Sequence, residues 1–276
     1  MTTILFHAQD HDDLERRLED ALALARASSG HLSCVHVTPA EAYVTFDAFG
    51  GVFVMDKVFE SIMDTEARVR ARCEAALKTE DVSWDYEQIG GPLALSLAGR
   101  AGLADLLMVS RRKASSSMAG HPLTVIGDLI RESRTPLFIP GDRGVVHDPL
   151  APAVIGWNGS IEAANAVRSA LPWLRLAERV TVVRVVEPQR VDDGSRRFPS
   201  TRLLEYLSRH GIHAELETFD EPNDMVAPLL METVGAKGAG TLIMGGYGHS
   251  RFGEYWFGGV TRALLEACPV ALIVAH

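Results

Sequence analysis

Cysteine is scarce in this chain: Cys34, Cys73 and Cys268 stand far apart, are odd in number and form no CxxC pair. That excludes a disulfide framework and a zinc ribbon, and reduced thiols in a cytoplasmic setting are the expectation. Long apolar runs are also missing. No uncharged apolar segment approaches the roughly 18 residues of a membrane span, and Met1-Thr2-Thr3-Ile4-Leu5-Phe6-His7 lacks the basic start of a leader. Neither membrane insertion nor secretion is expected. Positive charge is in deficit, with 27 Lys+Arg against 36 Asp+Glu and a net charge of -9. A general nucleic-acid binder needs the opposite balance. What is present is ordinary for a folded protein: 47% hydrophobic and 23% charged residues lie far from the composition of disorder.

Several catalytic signatures are absent as well. A dinucleotide-binding dehydrogenase would carry G-x-G-x-x-G after an opening strand, where this chain has His7-Ala8-Gln9-Asp10 and Trp157-Asn158-Gly159-Ser160. No G-x4-G-K-[ST] phosphate loop, no G-x-S-x-G elbow and no H-E-x-x-H pair occurs. Ser160 therefore reads as a helix cap rather than a nucleophile. On one strand, Cys34 and His36 share a face while His31 faces the other way, so these three read as packing or surface residues and no metal site is assigned.

The positive signal is an internal repeat. Asp105-Leu106-Leu107-Met108-Val109-Ser110 is followed by a loop, a helix-like stretch and Thr135-Pro136-Leu137-Phe138-Ile139-Pro140. Later, Gly240-Thr241-Leu242-Ile243-Met244-Gly245 is followed in the same way by Cys268-Pro269-Val270-Ala271-Leu272-Ile273-Val274. Each copy opens with a short apolar strand, residues 4–6 or 153–157, leading into an amphipathic helix. Leu14, Leu18, Ala21 and Ala25 mark one face in the first, and Ala163, Val167, Ala170 and Leu174 in the second. Asp12 and Glu15 predict a capping box at the first helix. Alternating strands and helices imply right-handed crossovers, hence an α/β fold of two tandem doubly wound parallel-sheet modules.

Gly, Pro and charge replace the apolar pattern at residues 140–149, which sets modules at residues 1–141 and 152–276 with a linker at 142–151. The first module has an apolar insert at residues 42–55 with Tyr43, Phe46, Phe49 and Phe53, where the second has a polar stretch at 189–197. The insert reads as a loop folded onto its own domain, with a lid or an interface as the sharper alternative.

The most informative stretch is Gly245-Gly246-Tyr247-Gly248, nine residues, then Gly258-Gly259-Val260-Thr261 at the start of a helix. Glycine permits close approach of a ligand, and the free N–H groups of a helix start favour an anion such as phosphate. His249 and Arg251 offer further phosphate contacts, Arg251 being the better charge partner.

This G-x2-G-x9-G spacing resembles the nucleotide-binding signature of the universal stress protein family, and the resemblance covers essentially the whole chain as two modules. Residues 154–160, ending in Trp157-Asn158-Gly159-Ser160, resemble the family's opening strand and V-D-G-S turn. The resemblance implies an adenine-nucleotide alpha hydrolase-like fold that binds ATP with Mg²⁺ in the second module only. Backbone after Gly248 and around Gly258, Gly259, Val260 and Thr261 would hold phosphates and ribose. Val185 would line the adenine pocket, and Trp157, Asn158, Gly159, Ser160, Met244 and Gly245 would complete the site. Two departures stand out: Gly259 replaces the usual Ser or Thr, and Asn158 replaces the Asp whose charge favours a divalent metal.

In the first module Ser110-Arg111-Arg112-Lys113 and Ser115-Ser116-Ser117 stand in place of the motif, and Gly120 and Gly127 do not restore its spacing. That module is expected to be structural or regulatory. The family resemblance also implies that the closing strands pair, packing the halves as an intrachain pseudo-dimer, with a homodimer through the aromatic insert as a further expectation. Little catalysis is expected beyond a slow ATPase, since Glu254 is the sole carboxylate in the motif loop. A stress-response module whose nucleotide state alters binding to a protein partner is the leading reading. The alternative is a nucleotide-independent interaction protein of the same fold.

Overall fold

The computed structural model describes residues 1–39, 45–46, 52–53, 56–112, 122–142, 144–186, 198–246 and 258–276. The chain divides into two compact units, Met1–Ser133 and Arg134–His276.

The first unit contains β1 (Thr3–His7), α1 (Leu14–Ala27), β2 (His31–Thr38), a two-residue antiparallel pair β3 (Thr45–Phe46) and β4 (Val52–Phe53), α2 (Asp56–Leu77), β5 (Ser83–Gly90), α3 (Leu93–Ala101), β6 (Leu106–Met108) and α4 (Pro122–Glu132). Its sheet has the order β6-β1-β2-β5, parallel throughout. Strands β1 and β6 are short apolar runs, buried along nearly their whole length. On the edge strand β5 half-buried and exposed positions alternate along most of its length instead.

The second unit contains β7 (Leu137–Ile139), β8 (Ala153–Gly156), α5 (Ile161–Ser169), α6 (Leu171–Leu174), β9 (Val180–Val186), α7 (Ser200–Arg209), β10 (Ala214–Asp220), α8 (Val226–Ala236), β11 (Thr241–Gly245), α9 (Gly259–Ala267) and β12 (Ala271–Ala275). Its parallel order is β10-β9-β8-β11-β12. Strand β7, which closes the first repeat in sequence, belongs to this unit and runs antiparallel to β12, with Ile139 opposite Leu272 and Leu137 opposite Val274.

Both units therefore share one connectivity. The chain leaves the opening strand on one side and returns to its other side, so a switch point lies between β1 and β6 and another between β8 and β11. The carboxyl ends of strands at such points are where open α/β sheets form a crevice.

Two local expectations change. The spaced apolar residues Ala163, Val167, Ala170 and Leu174 are all buried, but on two helices, because Pro172 has no N–H to continue α5 and instead sits in the first turn of α6. The capping box does not form. Asp13, not Asp12, caps α1 and makes no side-chain cap bond, while Glu15 binds Arg72. Among the described residues no helix is long and apolar enough to cross a membrane.

Candidate functional site

The turn after β8 is fixed by its own polar atoms. Trp157 N–H donates to the Val183 carbonyl at 2.8 Å, carrying the β8–β9 ladder one step past the strand. Asn158 then accepts the Ser160 N–H on Oδ1 at 3.0 Å, an Asx turn. Between them Gly159 adopts φ +74°, a left-handed conformation that a Cβ would strain. Ser160 is extended and its Oγ accepts the Ala163 N–H at 3.1 Å, so it caps α5 as expected. From outside this turn, the Phe198 N–H reaches the Gly159 carbonyl at 2.7 Å and tethers the segment that enters α7. Sequence reading missed Phe198, since a backbone bond leaves no mark on residue type.

Trp157 is only 5% exposed, yet its indole N–H has no partner among the described residues. Val185 is half-buried and extends β9 two residues beyond the end of β8, opposite Phe219 of β10.

The second wall starts at the end of β11. Met244 is buried. At Gly245 an added Cβ would lie 2.4 Å from Ala163 N and 2.9 Å from Glu162 Cβ. Gly245 is thus required for the first turn of α5 to rest on β11, a packing role that the sequence reading had not separated from room for a ligand. Gly246 N–H continues the ladder to the Ala275 carbonyl at 2.8 Å. Gly248, His249, Arg251 and Glu254 lie outside the described residues.

Gly258 and Gly259 differ from Gly245. Gly258 caps α9 in an extended conformation with no side-chain cap bond, and Gly259 is the first helical residue. At either position a Cβ would meet no atom within 4 Å among the described residues. The first intrahelical bond runs from Arg262 N–H to the Gly258 carbonyl, so the N–H groups of Gly259, Val260 and Thr261 precede the helical ladder. Thr261 is itself buried and Val260 half-buried.

The corresponding crevice of the first unit is built from charge. Ala8 N–H donates to the Val35 carbonyl at 2.9 Å, matching Trp157, but the following loop is held by Arg17, a wholly buried guanidinium. Arg17 Nε donates to Asp13 Oδ1 at 2.9 Å, Nη1 to the His7 carbonyl at 3.1 Å and Nη2 to the Gln9 carbonyl at 3.3 Å. Burial pulls the Asp13 carboxyl upward, but Arg17 and His11 more than offset this and hold it below its ordinary range. Arg112, from the end of the β6 segment, reaches Asp13 at 3.6 Å and so bridges the two walls. Around them Arg68 binds Asp10 at 2.8 Å and Arg72 grips both oxygens of Glu15 at 2.6 Å.

Burial, reinforced by Arg17 and His36, pushes His7 down to about 3. His36 contacts the Ala8 carbonyl through Nδ1 at 2.7 Å, and His31 contacts Ser83 and Asp85. Burial raises the Cys34 thiol well above its usual range. Among the described residues no group of three His, Cys, Asp or Glu side chains is placed to hold a metal. Lys113, Ser115, Ser116, Ser117 and Gly120 lie outside the described residues, as do Tyr43 and Phe49 of the insert, and Gly127 is buried within α4.

No protein-family model and no curated protein matches the sequence. Solved structures do match. A universal stress protein from Archaeoglobus fulgidus DSM 4304 superposes with a TM-score of 0.71 at 13% identity, covering 99% of this chain and 95% of that one. A putative universal stress protein from Pseudomonas aeruginosa UCBPP-PA14 gives 0.57 at 14% identity, covering 100% and 93%. A functionally unknown protein from Pseudomonas aeruginosa PAO1 gives 0.55 at 13%, covering 100% and 92%. From its first strand to its last, this chain has the universal stress protein fold.

Proposed function

We propose that the second unit binds one adenine nucleotide, ATP with Mg²⁺, and that the protein acts in the cytoplasm as a stress-response module whose nucleotide state alters its grip on a protein partner. The observation that carries this reading is the start of α9. Two successive glycines open the helix, no side chain caps it, and neither α-carbon is crowded among the described residues. Glycine is the poorest non-proline residue inside a helix, so its retention where packing does not demand it fits close approach by an anionic ligand. The turn at Asn158, Gly159 and Ser160 and the half-buried Val185 border the same switch point and suit ribose and base.

The first unit gives no second site on this reading, because Arg17, Asp13 and Arg112 already join the walls of its crevice. Catalysis beyond slow hydrolysis is not part of the proposal. Titration of the intact chain with ATP, followed by calorimetry, should saturate near one equivalent. Gly258→Val should abolish that binding while leaving the unfolding transition nearly unmoved, since its Cβ would meet no described atom within 4 Å. Two equivalents, or normal binding by Gly258→Val, would show the assignment to be wrong. No binding at millimolar ATP would favour a nucleotide-independent interaction protein.

A further inference from the structure

Glu162, the second residue of α5, has a side-chain oxygen, Oε2, that is buried without a hydrogen-bond partner among the described residues. An acid in the first turn complements the helix dipole, which accounts for a glutamate at this place but not for an oxygen withdrawn from water. A buried carboxylate oxygen without a donor is costly, and it calls for a cation or a donor to complete it. Its position is informative. The Glu162 Cβ lies 2.9 Å from where a Cβ of Gly245 would stand, so its stem rests on the last residue of β11, where the segment leading to α9 begins.

The first unit shows how the same demand is met there. Asp13 and Ser160 are the caps of α1 and α5, which makes Glu15 the counterpart of Glu162. Glu15 takes the Arg72 guanidinium through both oxygens at 2.6 Å, and that bond holds its carboxyl below the ordinary range. Among the described residues no Arg or Lys pairs with Glu162.

We propose, building on the nucleotide reading above, that Glu162 is the protein's ligand for the divalent cation that accompanies the nucleotide. It would supply the negative charge that Asn158 cannot, Asn158 Oδ1 being engaged by the Ser160 N–H. A site of three protein ligands is absent among the described residues. One carboxylate with phosphate oxygens and water is a usual set for Mg²⁺, which keeps several waters and leans on its substrate's phosphates.

The test is the ratio of ATP affinities with and without Mg²⁺, measured by calorimetry on the intact chain, together with Mn²⁺ electron paramagnetic resonance in the presence of ATP. Wild type should bind Mg²⁺–ATP at least about tenfold more tightly than metal-free ATP, as one close charge pair near a protein surface allows. Glu162→Gln should bring the ratio to about one, leave metal-free binding equal or tighter, and remove the protein-dependent Mn²⁺ signal. Glu162→Asp, which keeps the charge, should retain part of the ratio. A Glu162→Gln chain with the wild-type ratio overturns the inference, as does metal-independent binding by the wild type, and both leave the nucleotide site standing. Absence of nucleotide binding in every form overturns both. If Glu162→Gln does not fold, a Glu162→Asp chain with a reduced ratio and a weakened Mn²⁺ signal supports the proposal, and one that keeps the full wild-type ratio and signal refutes it.

Discussion

The two crevices share one backbone plan and fill it in opposite ways. In the first unit the loop after β1 wraps a buried guanidinium, and arginines tie down the carboxylates around it. In the second unit the loop after β8 is closed by an Asx turn and a serine cap, and glycines stand where the first unit has Ser110 and Arg111. A crevice that supplies both its own cations and its own anions has little left to offer a phosphate. One that leaves backbone N–H groups at a helix start retains that capacity. Fold likeness alone would assign both units one role, and their side chains separate them.

The largest expected effect that tests this contrast is on acid stability. His7 in the first unit is pushed down to about 3 and His147 in the second, half-buried against Phe138, to about 4, both from an ordinary 6.5. In each case the unfolded chain takes up a proton as pH falls through 6.5 while the folded chain does not. Stability is therefore full above 6.5 and is lost on acidification until the folded value is reached. The loss is bounded by about 5 kcal/mol for His7 and about 3 kcal/mol for His147. Urea unfolding from pH 7 to 3 should show this fall, and His7→Leu should flatten it more than His147→Leu, the difference opening below pH 4. An equal effect from both would remove the distinction, and none from either would mean the rings are hydrated.

Next in size is Arg17→Ala. It takes the most buried cation from Asp13, leaving His11 at 2.8 Å and Arg16 and Arg112 at 3.6 Å, withdraws a donor from two backbone carbonyls, and should cost about 3 kcal/mol, the low end of the range for breaking a buried pair from one side. The corresponding residue four past the cap in α5 is Ala164, so the small side chain itself is compatible with the plan. A loss under about 1 kcal/mol in chemical denaturation would show the guanidinium to be a surface group.

Much of this architecture was legible beforehand. Buried parallel strands must be apolar on both faces, so residues 4–6, 106–108 and 271–275 announce themselves, and the repeat of β6 and β11 is a repeat of such runs. The sites were less legible. Arg17 sits in Leu14-Glu15-Arg16-Arg17-Leu18, a pattern that also describes a solvated helix face, and only coordinates show that it points inward. Asp13 four residues earlier was the available hint. Gly245 was flagged for a reason different from the one the structure gives, since residue type cannot tell a glycine that admits a helix from one that admits a ligand. Glu162 carried no pattern at all.

The smallest effects separate those two kinds of glycine. Gly245→Ala drives a Cβ to 2.4 Å from a backbone nitrogen of α5 and should cost about 1–3 kcal/mol as the helix lifts from β11. Gly259→Ala should do the reverse. Its backbone is helical, no atom among the described residues lies within 4 Å of the new Cβ, and alanine loses less chain entropy on entering a helix. A gain of about 0.4–1 kcal/mol in chemical denaturation is expected. If the glycine is kept for ligand approach, the more stable chain should also be the weaker nucleotide binder. A Gly259→Ala chain that gains stability and binds ATP unchanged would leave the open start of α9 without a function. A chain that loses stability would show that the space beside it is already filled.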